Sequence, residues 1–488
     1  MSGTSSESQR MSGFESLMWE LERDPMLSSA FANLTLFDQA PDRAAFRARM
    51  EGAVRAVPRL RQRVVTSVAP WDLPRFVEDP DVDLDHHLRW LDLGGAGTRQ
   101  ELYEVAVSLA QQPLDRERPL WEFVTIEGLE GGRAAMLQRL HHTITDGEGG
   151  IRLSVEFLDF ERPPGVSGSP ARRKKRRTAS PSAVTTEPLP ADESLDDPPD
   201  GSGPWWSRAA GTLGSAASSA ASTAASTAAS TVTWLPNRSV DLAGAARSTL
   251  RQARVGHRHS PLWTERSLDR WFATTTISLE DALMAAHRLG GSVNDLFVTG
   301  AVDAAGQAHL EAGDRVETLR MSMPVSFRQD RTVGNAFSPT QMLVPTGEMD
   351  PATRLRAVHE IVTAVRNERA IDAMEGAAHA AAMLPSAAIL RTGQHLAGAV
   401  DFVCSNVRAA PFDLFVGGAF MEANYPMGPL AGTAFNLTTM SYRGWLFLGL
   451  TVDTAAVADP ERLLTLLDEA YDRVLAAADL PRRVPDQF

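Results

Sequence analysis

Leu140-His141-His142-Thr143-Ile144-Thr145-Asp146-Gly147 lies between two segments of different periodicity. Arg133 to Leu140 (RAAMLQRL) is apolar enough for a strand, and Ile151, Val155 and Leu158 then recur at helical spacing. A strand that turns into a helix puts the junction where side chains project into clefts. Asp146 falls at the expected N-cap, where its oxygen satisfies an unpaired helix N–H. Gly147 and the pair Gly149-Gly150 let a ligand or another backbone approach closely. A histidine here acts near neutral pH, because its ordinary pKa is about 6.5.

The residues alone leave three readings open. One is a hydrogen-bonded histidine pair that ends a strand. A second is metal binding by His141, His142 and Asp146. Adjacent histidines on an extended segment point to opposite faces, and no cysteine or third histidine lies nearby, which weakens it. The third is general-base catalysis by one histidine, with the aspartate holding local geometry.

Outward from this stretch, strand-like and helix-like signals alternate on both sides of a long break. Ser278 to Leu289 reads as a helix. Met321 to Phe327, ending at Pro324 or beyond, reads as a strand, and Phe402 to Val407 and Trp445 to Val452 read as buried strands. The mixture predicts an α/β (α+β) architecture. The break runs from Pro163 to about Ser260 and divides the chain into folded segments at 12–162 and 261–488. It holds the cationic run Arg172 to Arg177, an acidic Pro-rich stretch ending near Asp200, Trp205-Trp206, and Ala-Ala-Ser-Thr repeated from Ala220 to Thr231. Pro/Gly/Ser-rich and charged sequence buries too little apolar surface to offset its ordering entropy. The repeat suits either a small-residue helix or a flexible linker.

Length and composition fit two or three domains: 488 residues, 43% hydrophobic and 7% aromatic. The net charge of −13 argues against nucleic-acid binding, which needs a dominant basic face. A single cysteine, Cys404, excludes an intramolecular disulfide framework and cysteine-built metal sites, and fits a reducing compartment. No basic-then-apolar leader opens the sequence, and no run of about 18 apolar residues predicts a transmembrane helix. Gly376 to Leu390 is the nearest candidate, interrupted by His379 and Pro385, and reads as a core helix or an apolar surface patch. The cationic run gives up to about 1 kcal/mol per residue on an anionic lipid surface, or is a solvated charge run. Trp205, Trp206 and Trp234 point to a membrane interface.

His-His-x-x-x-Asp-Gly resembles the active-site motif of the coenzyme A-dependent acyltransferases, which include chloramphenicol acetyltransferase and peptide condensation domains. Arg118-Pro119-Leu120-Trp121, about twenty residues before the histidines, is similar to the bacterial wax ester synthase/diacylglycerol acyltransferase family. Ser292-Val293-Asn294-Asp295 resembles its Asn-Asp motif. Pro324-Val325-Ser326 with Arg328, and then Gly334-Asn335, resembles its next block. Ser405-Asn406-Val407 and Phe435-Asn436-Leu437 with Ser441-Tyr442 resemble its C-terminal blocks, so the likeness covers nearly all the chain outside the linker. The sequence departs at Arg408-Ala409-Ala410-Pro411, where the family has Pro-Gly-Pro, and at Ser12-Gly13-Phe14-Glu15, where it has Ser-Pro-x-Asp. Both departures bear on acceptor preference. His141 and Asp146 also match the His-x-x-x-x-Asp spacing of glycerolipid acyltransferases, but the doubled histidine, Gly147 and the downstream blocks favour the first family.

The resemblance implies two chloramphenicol acetyltransferase-like domains with a cleft or tunnel between them. It implies transfer of a long-chain acyl group from acyl-CoA to diacylglycerol or a fatty alcohol, with no metal and no bound cofactor. His142 would be the general base, Asp146 the partner that fixes the loop, and His141 the residue that orients His142 or the cleft wall. Gly147, Trp121, Asn294, Asp295, Asn406 and Asn436 would bind substrate or support the site, with Trp121 read as core packing and Asn406 and Asn436 as donors near the oxyanion. A cytoplasmic enzyme held peripherally on membrane or lipid droplets is expected. Transfer to another alcohol or amine, from acyl-CoA or a carrier-protein thioester, is the alternative within catalysis. A silent lipid-binding paralogue is the alternative outside it.

Overall fold

The computed structural model describes residues 8–67, 72–144, 153–162, 259–326, 337–366, 378–379, 381–483 and 485. Asp146, Gly147, Arg328, Gly334, Asn335 and the linker from 163 to 258, with its cationic run, repeat and tryptophans, lie outside those residues.

The first segment carries strands β1 (Gln9–Arg10), β2 (Ala30–Phe37), β3 (Gln62–Val65), β4 (Arg75–Glu78), β5 (Leu88–Asp92), β6 (Trp121–Glu127) and β7 (Ala134–His141). Its helices are α1 (Gly13–Leu21), α2 (Arg43–Ala56), α3 (Leu84–His87) and α4 (Arg99–Ala110). The second segment carries β8 (Arg270–Ser278), β9 (Thr318–Ser326), β10 (Phe337–Pro345), β11 (Phe402–Arg408), β12 (Phe415–Val416), β13 (Ala419–Met427), β14 (Phe435–Tyr442) and β15 (Trp445–Asp453). Its helices are α5 (Leu279–Leu289), α6 (Val293–Glu311), α7 (Pro351–Arg366), α8 (Ser386–Ala397) and α9 (Pro460–Ala476). Two six-stranded sheets result, in the orders β12-β13-β2-β7-β6-β5 and β10-β9-β11-β14-β15-β8, beside a small sheet β1-β4-β3. The architecture is therefore mixed α/β in two domains.

The histidine strand β7 is buried at every position, as its near-continuous apolar run requires of a strand covered on both faces. It pairs antiparallel with β2 and β6, which puts Phe31 and Trp121 on either side of Leu140. In α2, Phe46, Met50 and Ala53 recur at helical spacing and face this core. In the second domain, α9 presents Leu463, Leu466, Leu467, Ala470, Tyr471 and Val474 as one apolar stripe. It packs on α6, where Gly300 leaves room for the Tyr471 ring.

The predicted helix at Ser278–Leu289 is α5, with Ser278 as its N-cap rather than its first residue. The strand expected from Met321 begins earlier, at Thr318, because Thr318 and Leu319 extend the ladder to Pro345 and Val344. Of the helical stripe after the motif, Ile151 lies outside the described residues, and Leu153, Phe157 and Leu158 rather than Val155 enter the core. Of Gly376–Leu390, the described part ends in α8, with Ile389 buried and Met383 and Leu384 46% and 50% exposed.

One expectation of the sequence is corrected. The segment 261–488 is not a unit, because β12 and β13 cross over and complete the first sheet. An edge strand needs a partner or a cover, and β13 supplies both to β2, with Asn424 opposite Thr35 and Met427 opposite Ala32. Its other edge pairs with β12, and it also packs on β14 and β15. Gly449 permits that approach, since a Cβ there would sit 1.9 Å from the Pro426 carbonyl oxygen. The Tyr442 hydroxyl pins the crossing, donating to the Met421 carbonyl at 3.0 Å and accepting from the Leu414 amide at 3.2 Å.

The second core also reaches back to the end of the linker. Ser260 is buried, its amide donates to Asp401 Oδ1 at 3.1 Å, and its hydroxyl meets His309 Nε2 at 2.7 Å. His309 Nδ1 donates to the Ala305 carbonyl, so this serine–histidine pair is a sealed clamp on α6.

Candidate active site

His141 ends β7 and is 1% exposed. The amide N–H of Thr143 donates to His141 Nδ1 at 3.1 Å, and the Thr143 hydroxyl lies 2.8 Å from the same nitrogen. An amide can only donate, so Nδ1 is the acceptor and the ring proton sits on Nε2. Nε2 faces Glu22 Oε2 at 3.1 Å and the Ser29 hydroxyl at 3.2 Å. The Ile144 amide closes the turn on the His141 carbonyl at 2.9 Å.

Glu22 follows α1 directly as its C-cap. Its carboxylate accepts from the Ser28 hydroxyl at 2.6 Å and the Ser29 amide at 2.9 Å as well as from His141. Burial raises this carboxyl, but the hydrogen bonds from His141, Ser28 and Ser29 outweigh burial and hold it well below the ordinary carboxylate range. A carboxyl depressed in the folded state stabilises the fold above its unfolded value near 4.5 and loses that contribution as pH falls towards 2. Chemical unfolding followed from pH 5 to pH 2 should therefore show a steeper stability loss in the wild type than in Glu22→Gln. Parallel slopes would refute it.

His142 follows in the turn, half-buried, with the Phe31 ring tilted against its own at 4.6 Å between centroids. Phe31, Asn33 and Thr35 alternate onto one face of β2. On that face Asn33 donates to Asn424 Oδ1, Thr35 donates to the same oxygen at 2.8 Å, and Gln138 donates to Thr35 Oγ1 at 3.3 Å. Asn424 Nδ2 in turn reaches Met440 Sδ of β14 at 3.1 Å. A polar row thus leads from the histidine turn into the seam where the crossing strand meets the second sheet.

The other expected residues fall into separate groups. Asn406 Nδ2 donates to Asn294 Oδ1 at 3.3 Å, which joins β11 to the start of α6. Asp295 completes a capping box with Ser292 and accepts from His359 Nδ1 at 2.8 Å, so its carboxylate is occupied in holding α6. Asn436 donates to the Pro429 carbonyl at 2.8 Å and accepts from Thr438 at 2.7 Å, on the face of β14 towards the seam. Trp121 is 1% exposed, stacked on His87 at 4.3 Å, and its indole N–H donates to the Leu60 carbonyl at 2.9 Å. It supports β7 from within the core.

Residues 11–297 match the wax ester synthase/diacylglycerol acyltransferase catalytic domain, and residues 333–474 match the family's C-terminal domain. The chain belongs to this family. A Mycobacterium tuberculosis protein provisionally named diacylglycerol O-acyltransferase is 33% identical over 99% of this chain and 96% of its own length. A second protein of that species, named in the same way, is 26% identical over 89% and 88%. The wax ester synthase/diacylglycerol acyltransferase of Marinobacter aquaeolei superposes with a TM-score of 0.61 at 19% identity, covering 97% of this chain and 100% of that one. A starter condensation domain of rhizomide synthetase, solved with C8-CoA and Leu-SNAC, gives 0.56 at 16% identity over 99% and 96%. The protein is thus an acyltransferase with the two-domain fold of these enzymes.

Within this acyltransferase, two features of the site had no motif to announce them. Glu22 could have been noticed as an acid at a helix C-terminus, where the macrodipole opposes negative charge. The row Asn33, Thr35 and Gln138 reads in sequence as ordinary strand polarity. The family's Ser-Pro-x-Asp block, replaced here by Ser12-Gly13-Phe14-Glu15, forms a full capping box through Ser12 and Glu15. Cys404 is fully buried, and burial pushes its thiol far above the ordinary range. Among the described residues, no group of three His, Cys, Asp or Glu could hold a metal ion, and no helix is long and apolar enough to cross a membrane.

Proposed function

We propose that this acyltransferase moves a long-chain acyl group from acyl-CoA to an alcohol, diacylglycerol or a fatty alcohol, with His142 as general base. The observation that carries the reading is the half-buried His142 ring, packed on Phe31 in a turn braced through His141 and Thr143. A ring nitrogen of His142 takes the hydroxyl proton as the alcohol oxygen bonds to the thioester carbonyl carbon. The tetrahedral intermediate then collapses, the carbon–sulfur bond breaks, and the imidazolium returns the proton to the departing CoA thiolate. Two substrates share the site at once, so alignment supplies much of the acceleration.

The mycobacterial relatives' names support diacylglycerol as acceptor, and the C8-CoA bound to the condensation domain supports a CoA thioester as donor. The sealed Cys404 supports direct transfer without an acyl-cysteine. In this reading Asp146 and Gly147 belong to the site with the base, and Asn294, Asn406 and Asn436 support it from the second domain. The acceptor is a lipid, so the enzyme works at a membrane or droplet surface, and exposed Met383 and Leu384 support that placement. Thiol release from palmitoyl-CoA should rise with diacylglycerol in vesicles or with hexadecanol, and stay at the background rate with short alcohols. Equal rates with every alcohol, or none with the lipids, would refute the acceptor class.

A further inference from the structure

We propose that Glu22 is a positioning residue for acyl transfer: acting through His141, it fixes the turn on which His142 rides. The proposal rests on the reading of His142 as base.

Glu22 stands where a carboxylate is unwelcome. The last turn of α1 holds no basic residue, and the negative end of the helix dipole opposes a carboxylate there. The carboxylate is nevertheless largely withdrawn from solvent and satisfied by Ser28, Ser29 and His141. One connected chain runs from it to the base. Glu22 Oε2 accepts the His141 Nε2–H at 3.1 Å, His141 Nδ1 accepts the Thr143 amide at 3.1 Å, and the Ile144 amide returns to the His141 carbonyl at 2.9 Å. The residues on both sides of His142 are thereby tied down, and Thr143 is wholly buried.

The carboxylate is held on a wedged helix. Arg116 donates to the Trp19 carbonyl at 2.9 Å and lies over its ring at 3.6 Å. On the opposite side, α8 comes so close that a Cβ on Gly393 would sit 2.3 Å from Leu21 Cδ2. A rigid acceptor beyond Nε2 selects one tautomer and one ring orientation of His141, much as outer partners of metal-bound histidines do. Without it the ring can turn, Thr143 loses its acceptor, and the base shifts relative to the thioester. Transfer is sensitive to such displacement, because an error of about 1 Å in a reacting group costs roughly 10²-fold.

The test uses full-length enzyme, palmitoyl-CoA and diacylglycerol vesicles, with every variant assayed below its own unfolding transition. Glu22→Gln should lower kcat about 10- to 100-fold and leave both KM values unchanged. The double variant with His141→Gln should be no slower than the slower single variant, because the two residues act in one chain. Leu463→Ala, a destabilised variant in the distant core, should keep its kcat. Wild-type kcat in Glu22→Gln, losses that multiply in the double variant, or an equal loss in Leu463→Ala would each overturn the proposal. If Glu22→Gln does not fold, Glu22→Asp keeps the charge and withdraws it by one methylene; a reduced kcat supports the proposal and a wild-type kcat overturns it. An inactive His142→Ala beside a wild-type-like Glu22→Gln removes the positioning role alone. An active His142→Ala removes the base assignment and the proposal with it.

Discussion

His142→Ala should release CoA from palmitoyl-CoA about 10²–10⁴-fold more slowly than wild type, with its melting temperature nearly unchanged. The side chain is half-buried and touches Phe31, so its loss removes little core packing. The neighbouring turn stays tied through His141 and Thr143. The rate that survives measures what alignment of thioester and alcohol contributes without proton transfer. KM for both substrates should stay near wild type, since the base interacts most strongly in the transition state. A purified, folded variant that turned over at the wild-type rate would end the assignment.

Trp121→Ala should act on the other quantity, stability, by about 3–5 kcal/mol. It removes a wholly buried indole, the stack on His87, and the partner of the Leu60 carbonyl, which is left unsatisfied in the core. Burial has already taken His87 down to about 4, so a cavity beside it admits water to a group that is kept neutral. Trp121→Phe should retain most of the stack and lose only the indole hydrogen bond. Denaturant titrations of both variants decide the matter. A raised acceptor KM with unchanged stability in Trp121→Ala would make the residue a ligand contact instead.

The two predictions separate what could be read from the chain. Local chemistry was legible. The apolar run before the histidines became β7, the helix read from Ser278 became α5 but for that one capping residue, and Cys404 became core, because each depends on near neighbours in sequence. The acyltransferase family was legible from its blocks. Pairings across the chain were not. Glu22 and His141 are 119 positions apart, Asn294 and Asn406 are 112 apart, and Asn33 and Asn424 are 391 apart. Periodicity says that a strand is buried but not which edge it joins, so Ala419–Met427 looked like part of its own half. Asp295 illustrates the same limit: its place in the Asn-Asp motif suggests site support, whereas Ser292 and the distant His359 occupy its carboxylate.

The crossing strand has a consequence for how the enzyme is made. Synthesis proceeds from the N-terminus, so β2 and the histidine strand leave the ribosome long before β13, whose Asn424 stands 391 positions after Asn33. At translation speeds of 5–20 residues per second that is a wait on the order of 20–80 s. Throughout it the nascent first sheet has a bare edge, which is a hazard for pairing with other chains. The histidine strand therefore belongs to a sheet that is completed almost last. A ribosome that stalls before Ala419 releases the whole motif without the strand that closes its sheet.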